Sequence, residues 1–387
     1  MLKRALSLVL VATFGLAATA GVRAQETVTR HRERVIIPHE LAAEVQRLVH
    51  EVMSAHVSAN LSRDLSREIG QAMREATRGL SHAGVSGPVV DQRSEFKIEQ
   101  TDRRTHTVAI GAAGTLELSN VVGDITVKAG SGRDAVVEVV RVSRGRTDAD
   151  AKLGLEKVTV DVKTTADRAS FSAKYPDERR PPYSVSVGYE VTAPAGTRLT
   201  VHTVTGQVGV TAIKGELSVS SVSGSVTVSA ASQIAKIHSV SGTVTLTDVA
   251  TDNSVEVGTV AGEVWLKNVK ARRVSANSVS GSINAVGIQA GGADLHSMSG
   301  EIRYSGPVAA NGRYEFQSHS GEVNLGLTGG FDVDATTFSG RLEAEAGLGL
   351  AATTGMRQSL RGTVDKGGAA VKVTTFSGNV KLARAIK

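Results

Sequence analysis

The chain has 387 residues and no cysteine. That excludes disulfides, thiolate metal sites and a lipidated cysteine behind an export signal. Packing and hydrogen bonds must hold the fold alone. Aromatic residues make up only 3% of the chain, with a single Trp, so the stacking platforms that single-stranded nucleic acid needs are missing. Only 7 prolines occur, and three of them crowd into Tyr175 to Tyr183, which reads as a loop or edge. No apolar run beyond the first two dozen residues is long enough to span a bilayer as a helix.

What is present begins with a basic start at Lys3 and Arg4, an apolar stretch from Ala5 to Ala20, and Val22-Arg23-Ala24. This is the pattern of a secretory signal peptide over residues 1–24, cut near Ala24. It places the protein in the periplasm or outside the cell, with no transmembrane segment left after cleavage. The formal charge of +6 loses Lys3, Arg4 and Arg23 on processing, which leaves 41 basic against 38 acidic residues. So small an excess gives no basic footprint, and nucleic acid is not expected as a partner.

Residues 25–38 read as an N-terminal extended segment. From residue 39 to residue 80 the period changes. Leu41, Val45, Leu48, Val52, Ala55 and Ala59 recur at steps of four and three. After a phase slip, Leu61, Leu65, Ile69, Ala72 and Ala76 continue the stripe. A long amphipathic α-helix is predicted there. It either docks on the following domain or mediates self-association as a coiled coil. Residues 81–94 look like a linker. The period then becomes two, rich in Val, Thr and Ser, first as an irregular β lead-in over 95–198 containing one copy of a repeat, then regularly over 199–387.

The repeat is marked by Gly206, Gly224, Gly242, Gly262, Gly281, Gly300, Gly321, Gly340 and Gly378. Their steps are 18, 18, 20, 19, 19, 21, 19 and 38, the last covering two repeats with a degenerate copy near Gly362. A fixed period near 19 residues signals a stacked repeat fold. Two residues after each glycine stands Val, Ile or Leu, and five before it an apolar residue such as Val201, Ile237 or Phe316. Both columns are expected inside. Two before it stand Val204, Val222, Val240, Val260, Val279, Met298, His319, Phe338 and Phe376. These too are expected inside, with His319 buried and neutral. Three before it every copy has Ser or Thr, which suggests a bend where the hydroxyl bonds nearby backbone. At the glycine a side chain would crowd the turn, or the backbone needs angles that glycine takes cheaply. The fold class that follows is all-β: a parallel β-solenoid, or β-helix, of about 19-residue coils, preceded by the long helix. Lys381, Arg384 and Lys387 are expected near its last edge, where they would discourage strand-to-strand polymerisation.

The stretch SVGYEVTAPAGTRLTVHTVTGQVGV, with VSGSVTV, VSGTVTL and FSGNVKL after it, resembles the bacterial putative-adhesin β-strand-repeat family, domain of unknown function 4097, over roughly Thr115 to Leu382. The resemblance implies a parallel β-solenoid on an exported cell-envelope protein, and it brings no catalytic residues.

Motifs for chemistry are scarce. His39-Glu40 and His50-Glu51 lack the second histidine of a zinc protease helix, and no phosphate loop or nucleophile elbow is present. One constellation stands out. Six before the glycine, three consecutive copies carry Asp294, Glu315 and Asp334, with His296 beside them. In successive coils these carboxylates would stack about 5 Å apart and could hold a hard cation such as Ca²⁺; no other cofactor is implied. Glu301 and Glu322 form a second acidic pair. The function expected is a non-catalytic, adhesin-like binding or scaffold role toward an envelope glycan or protein, not an enzyme. The alternative is a polysaccharide-acting enzyme using the carboxylate row.

Overall fold

The computed structural model describes residues 96–385, apart from 179–180, 351 and 354–357. The signal peptide expected over 1–24, the segment 25–38, the helix expected over 39–80 and the linker expected over 81–94 lie outside the described residues. No helix among the described residues is long and apolar enough to cross a membrane.

The described chain is all-β, built as two long ladders from strands of four to nine residues, apart from the 17-residue Ile302–Ser318 that serves both, in which side chains alternate between buried and exposed. One ladder runs through Arg168–Lys174, Thr115–Val122, Arg198–Thr205, Glu216–Ser223, Gln233–Ser239, Ser254–Thr259, Arg273–Ser278, Gln289–Ser297 and the second half of Ile302–Ser318, every pairing parallel. The other runs through Ile125–Gly130, Val208–Thr211, Val226–Ser229, Val244–Ala250, Val264–Ala271, Ile283–Val286, the first half of Ile302–Ser318 and Val323–Thr328, again parallel. Equivalent residues pair: Val226 with Val244, and Val244 with Val264. The core lies between the ladders, where Val201, Val219, Ile237, Val257, Ala276, Leu295 and Phe316 of one face Val208, Val226, Val244, Val264, Ile283, Ile302 and Val323 of the other, all at most 1% exposed. No single copy could bury these residues; the adjoining copies do it.

Before the regular copies, Thr115–Val122 and Ile125–Gly130 already form the first layer, pairing with Arg198–Thr205 and Val208–Thr211. The chain on either side of this layer makes an antiparallel flap of Ile98–Val108, which precedes it, with Ala135–Gly145 and Tyr183–Pro194, which follow it. The helix α1 (Asp148–Lys157) packs there, opened by a capping box of Thr147 and Asp150. Arg141 ties the flap together, donating to Asp102 and to the carbonyls of Leu155 and Val158.

Two expectations fail at the far end. Space does not follow sequence: Ala369–Thr375 lies between Ile302–Ser318 and Phe331–Thr337, and Val380–Arg384 lies between Val323–Thr328 and Leu342–Ala344. Lys381 is therefore inside the ladder, between Asn324 and Glu343, rather than at its edge; Arg384 pairs with Leu327 on one side, and Lys387 lies outside the described residues. The stretch around Gly362 is no degenerate coil. It is an antiparallel strand, Gln358–Val364, laid against Phe331–Thr337.

Candidate functional site

The corner between the two ladders repeats in every layer, and it inverts the expected orientation. The strand runs on in period two as far as the hydroxyl residue, so Thr203, Ser221, Ser239, Thr259, Ser278, Ser297, Ser318, Thr337 and Thr375 are buried. The residue after each turns outward. A buried hydroxyl calls for partners, and in the layers after Thr203, whose own Oγ1 has none, the turn supplies them. Oγ of Ser239 accepts the N–H of Gly242 at 3.0 Å and donates to the Gly224 carbonyl at 3.4 Å, one layer away. Thr259 does the same with Gly262 and Gly242, at 3.0 and 3.4 Å. Ser278, Ser297, Ser318 and Thr375 accept their glycine N–H at 2.7–2.9 Å.

The glycines form a column of close approach. A Cβ on Gly224, Gly242, Gly262, Gly281, Gly300 or Gly321 would sit 1.6–2.1 Å from the carbonyl oxygen of the glycine one layer before it. Gly378 and Gly340 meet Gly321 and Gly378 in the same way, at 1.9 and 2.0 Å. Gly206, at φ +144°, and Gly123, which it meets one layer before at φ +132°, also need a left-handed backbone.

Turned outward, the column two before the glycine is a surface stripe. Val204, Val222, Val240, Val260 and Val279 are half-buried, and Met298, Phe376 and Phe338 are 39%, 50% and 51% exposed. His319 is exposed rather than buried. Its ring stacks on Phe376 at 5.0 Å and 2°, and Phe376 stacks on Phe338 at 5.1 Å and 7°. The serines beside the stripe are themselves stitched across layers: Ser241, Ser280 and Ser299 donate to the carbonyls of Val222, Val260 and Val279 at 3.2–3.3 Å. Sequence reasoning assigned these apolar residues to the core because they are apolar. The unbroken alternation from five before to three before the glycine was the signal that they face out.

The carboxylate row is broken. Asp294 pairs in register with Glu315, but Glu315 pairs with Lys372, and Lys372 with Asp334. The inserted strand puts a lysine where a third carboxylate was expected, so Asp334 is not next to Glu315. Each acid has its own cation. Arg273 holds Asp294 at 2.5 Å, Lys372 holds Glu315 at 3.1 Å, and Arg361 holds Asp334 at 3.1 Å. Burial works to raise the Glu315 carboxyl, but hydrogen bonds from Lys372 and Gln317 outweigh it and hold the group below its ordinary range. His296 lies in the same outer face, and burial pushes its pKa down against the charges of Asp294 and Glu315. Among the described residues no three carboxylates or histidines converge as a metal site would require. Glu301 bonds Arg303 at 2.7 Å and Asn324 at 2.6 Å, and Glu322 takes Lys381 at 2.8 Å.

A shallow groove of about 380 Å³ crosses a third, short run of pairing, floored by Ala271, Ala290 and Val308 and flanked by Lys270 and Arg272. Trp265 stands 42% exposed on the second ladder, its Nε1 donating to Glu263 at 2.8 Å.

An all-β repeat protein with layered, position-specific columns is what these ladders define. The chain belongs to the Toastrack DUF4097 family, whose sequence profile matches residues 114–383. Among solved structures it is similar to a putative adhesin from Bacteroides fragilis, 11% identical, covering 72% of this chain and 96% of that one, with TM-score 0.39. It is also similar to a putative lipid binding protein from Parabacteroides distasonis, 14% identical, covering 73% and 97%, with TM-score 0.43. A putative cell adhesion protein from Clostridium sporogenes is 11% identical, with 74% and 100% covered and TM-score 0.21. No curated protein matches the chain.

Proposed function

We propose that this chain is a parallel β-solenoid and serves as a non-catalytic, adhesin-like binding or scaffold protein of the cell envelope, periplasmic or secreted after cleavage near Ala24. The solenoid reading is supported by the parallel register, copy on copy, in both ladders. The binding reading is carried by the corner stripe. Proteins that work alone seldom leave a contiguous apolar ridge in water, and such ridges mark contact surfaces. Here the ridge grows from valines to Met298, His319, Phe376 and Phe338, where it is most exposed. A flanking row of serine hydroxyls gives it a polar border. That pairing of apolar and hydroxyl surface suits an envelope glycan or protein partner. A glycosidase would need one carboxyl kept protonated beside a free carboxylate. Asp294, Glu315 and Asp334 are instead each matched by a cation, with Glu315 shifted downward.

The test compares the full chain with a Met298→Ser/Phe338→Ser/Phe376→Ser variant on immobilised envelope glycans and solubilised envelope proteins. The wild type is expected to bind and the variant to lose at least tenfold in affinity with its melting temperature kept. Equal binding by both, or none by either, would remove the stripe as the functional surface.

A further inference from the structure

The coil Ala369–Arg384 is held on both sides by segments that precede it in the chain. Its inward residues Val371, Val373, Val380 and Leu382 are at most 4% exposed, so the coil has no folded existence outside the slot it fills. It is joined to Gln358–Val364 by the turn Asp365–Gly368. All four residues of that turn have left-handed φ: 46°, 71°, 73° and 131°. Two of them, Asp365 and Lys366, carry side chains that make this conformation unfavourable. Within the backbone the turn is closed by Gly367 N–H on the Val364 carbonyl at 3.0 Å and held by Asn311 N–H on the Gly368 carbonyl at 3.1 Å; its side-chain contacts are open to solvent. Gly368 N–H reaches Asp332 at 3.4 Å, and Arg384 pairs with Asp365 at 2.9 Å between half-exposed side chains.

We infer that this coil is exchangeable and that the partner it admits is a second copy of this chain, each copy placing its Ala369–Arg384 in the other's slot. Every contact of the slot is the same whichever copy supplies the coil. The register of Gln317 with Thr374 and of Thr374 with Thr336 is preserved. So are the glycine column through Gly321, Gly378 and Gly340 and the ring stack of His319, Phe376 and Phe338. Only the turn differs. In the exchanged form it extends, and Asp365 and Lys366 leave the left-handed region. A short hinge under backbone strain beside a self-complementary slot is the arrangement that favours domain swapping. The inference is independent of what the corner stripe binds.

The chain has no cysteine of its own, so introduced thiols report cleanly. Gln317 and Thr374 are opposite each other on adjacent parallel strands, a separation a disulfide can bridge. Full-length Gln317→Cys and Thr374→Cys variants, one tagged, are unfolded together, refolded over a range of concentrations and oxidised. The expected product is a heterodimer linked between positions 317 and 374. Its fraction should rise severalfold over a tenfold increase in concentration and fall when Asp365→Gly/Lys366→Gly relaxes the turn. A Thr245→Cys/Thr374→Cys mixture sets the level of random collision. A heterodimer yield no higher than that level would overturn the inference. So would a Gln317→Cys/Thr374→Cys double variant that fails to close its disulfide within one chain, because the slot's register would then be wrong.

Discussion

Replacing Gly242 with alanine isolates the close approach on which the glycine column rests. The new Cβ would lie 1.9 Å from the Gly224 oxygen and 2.8 Å from Ser239 Oγ. Ordinary contact begins near 3.4 Å, so the two layers must part by about 1.5 Å at the corner. Gly242 is absent from the left-handed φ set, so backbone freedom is not what alanine takes away. The separation stretches the bonds Val240 N–H to Ser221 and Ser241 N–H to Val222, now 3.1 and 2.9 Å, and the Ser239 bridge between Gly242 and Gly224. At about 1 kcal/mol for each of three bonds, the loss is roughly 3 kcal/mol. At about 2 °C per kcal/mol for a domain of this size, the melting temperature falls by about 6 °C. Gly209 is the matched control: a Cβ there meets nothing within 4 Å. Gly209→Ala should raise the melting temperature by about 1–2 °C, because alanine leaves the unfolded chain less freedom to lose. Calorimetry on both variants decides. A Gly242→Ala protein melting within about 1 °C of wild type, or a Gly209→Ala protein falling as far as Gly242→Ala, would refute the argument from crowding.

Ser239→Ala strands the buried N–H of Gly242 and should cost about 1–2 kcal/mol in denaturant titration, against little for the exposed Ser225→Ala. His296 has a folded pKa below its ordinary value because of burial, so the unfolded chain takes up the proton first as pH falls. The stability it contributes is complete above the ordinary histidine range and is lost as pH drops toward the folded value; His296→Gln should flatten that limb of the melting profile. Glu315 is also held low, so its contribution is present above the ordinary carboxylate range and is lost as pH falls through the folded value. Glu315→Gln should reduce the acid sensitivity of melting at that lower pH. Calcium titration of wild type against Asp294→Asn and Asp334→Asn should give the same heat in all three, because each carboxylate already has its cation; a binding isotherm lost in either variant would contradict the cation pairing.

The repeat was legible because its columns reflect packing. A glycine every 18 to 21 residues, with a branched apolar residue two positions on, recurs only if layers lie over one another. The first copy at Leu116 to Val127 could be matched to the later ones across the intervening flap for the same reason. Layer order was not legible at the far end. Phe338-Ser339-Gly340 and Phe376-Ser377-Gly378 have the same spelling, and a slot that accepts one accepts the other. That ambiguity is why three carboxylates in a row were expected where Lys372 intervenes. The corner misled for another reason. Apolarity suggested that the residue two before the glycine lies inside, whereas the hydrogen-bonding demand of the glycine N–H draws the preceding hydroxyl inward and leaves that apolar side chain in water.

The position of Ala369–Arg384 also bears on synthesis. Phe331–Thr337 leaves the ribosome before the strand that will separate it from Ile302–Ser318, so its permanent neighbour arrives after a wrong but similar one. A polypeptide interrupted anywhere between Leu342 and Ala369 lacks the strand that separates Ile302–Ser318 from Phe331–Thr337, and these two offer each other the same register in its absence. The order of strands at this end of the stack is therefore complete only once Ala369–Arg384 has been made.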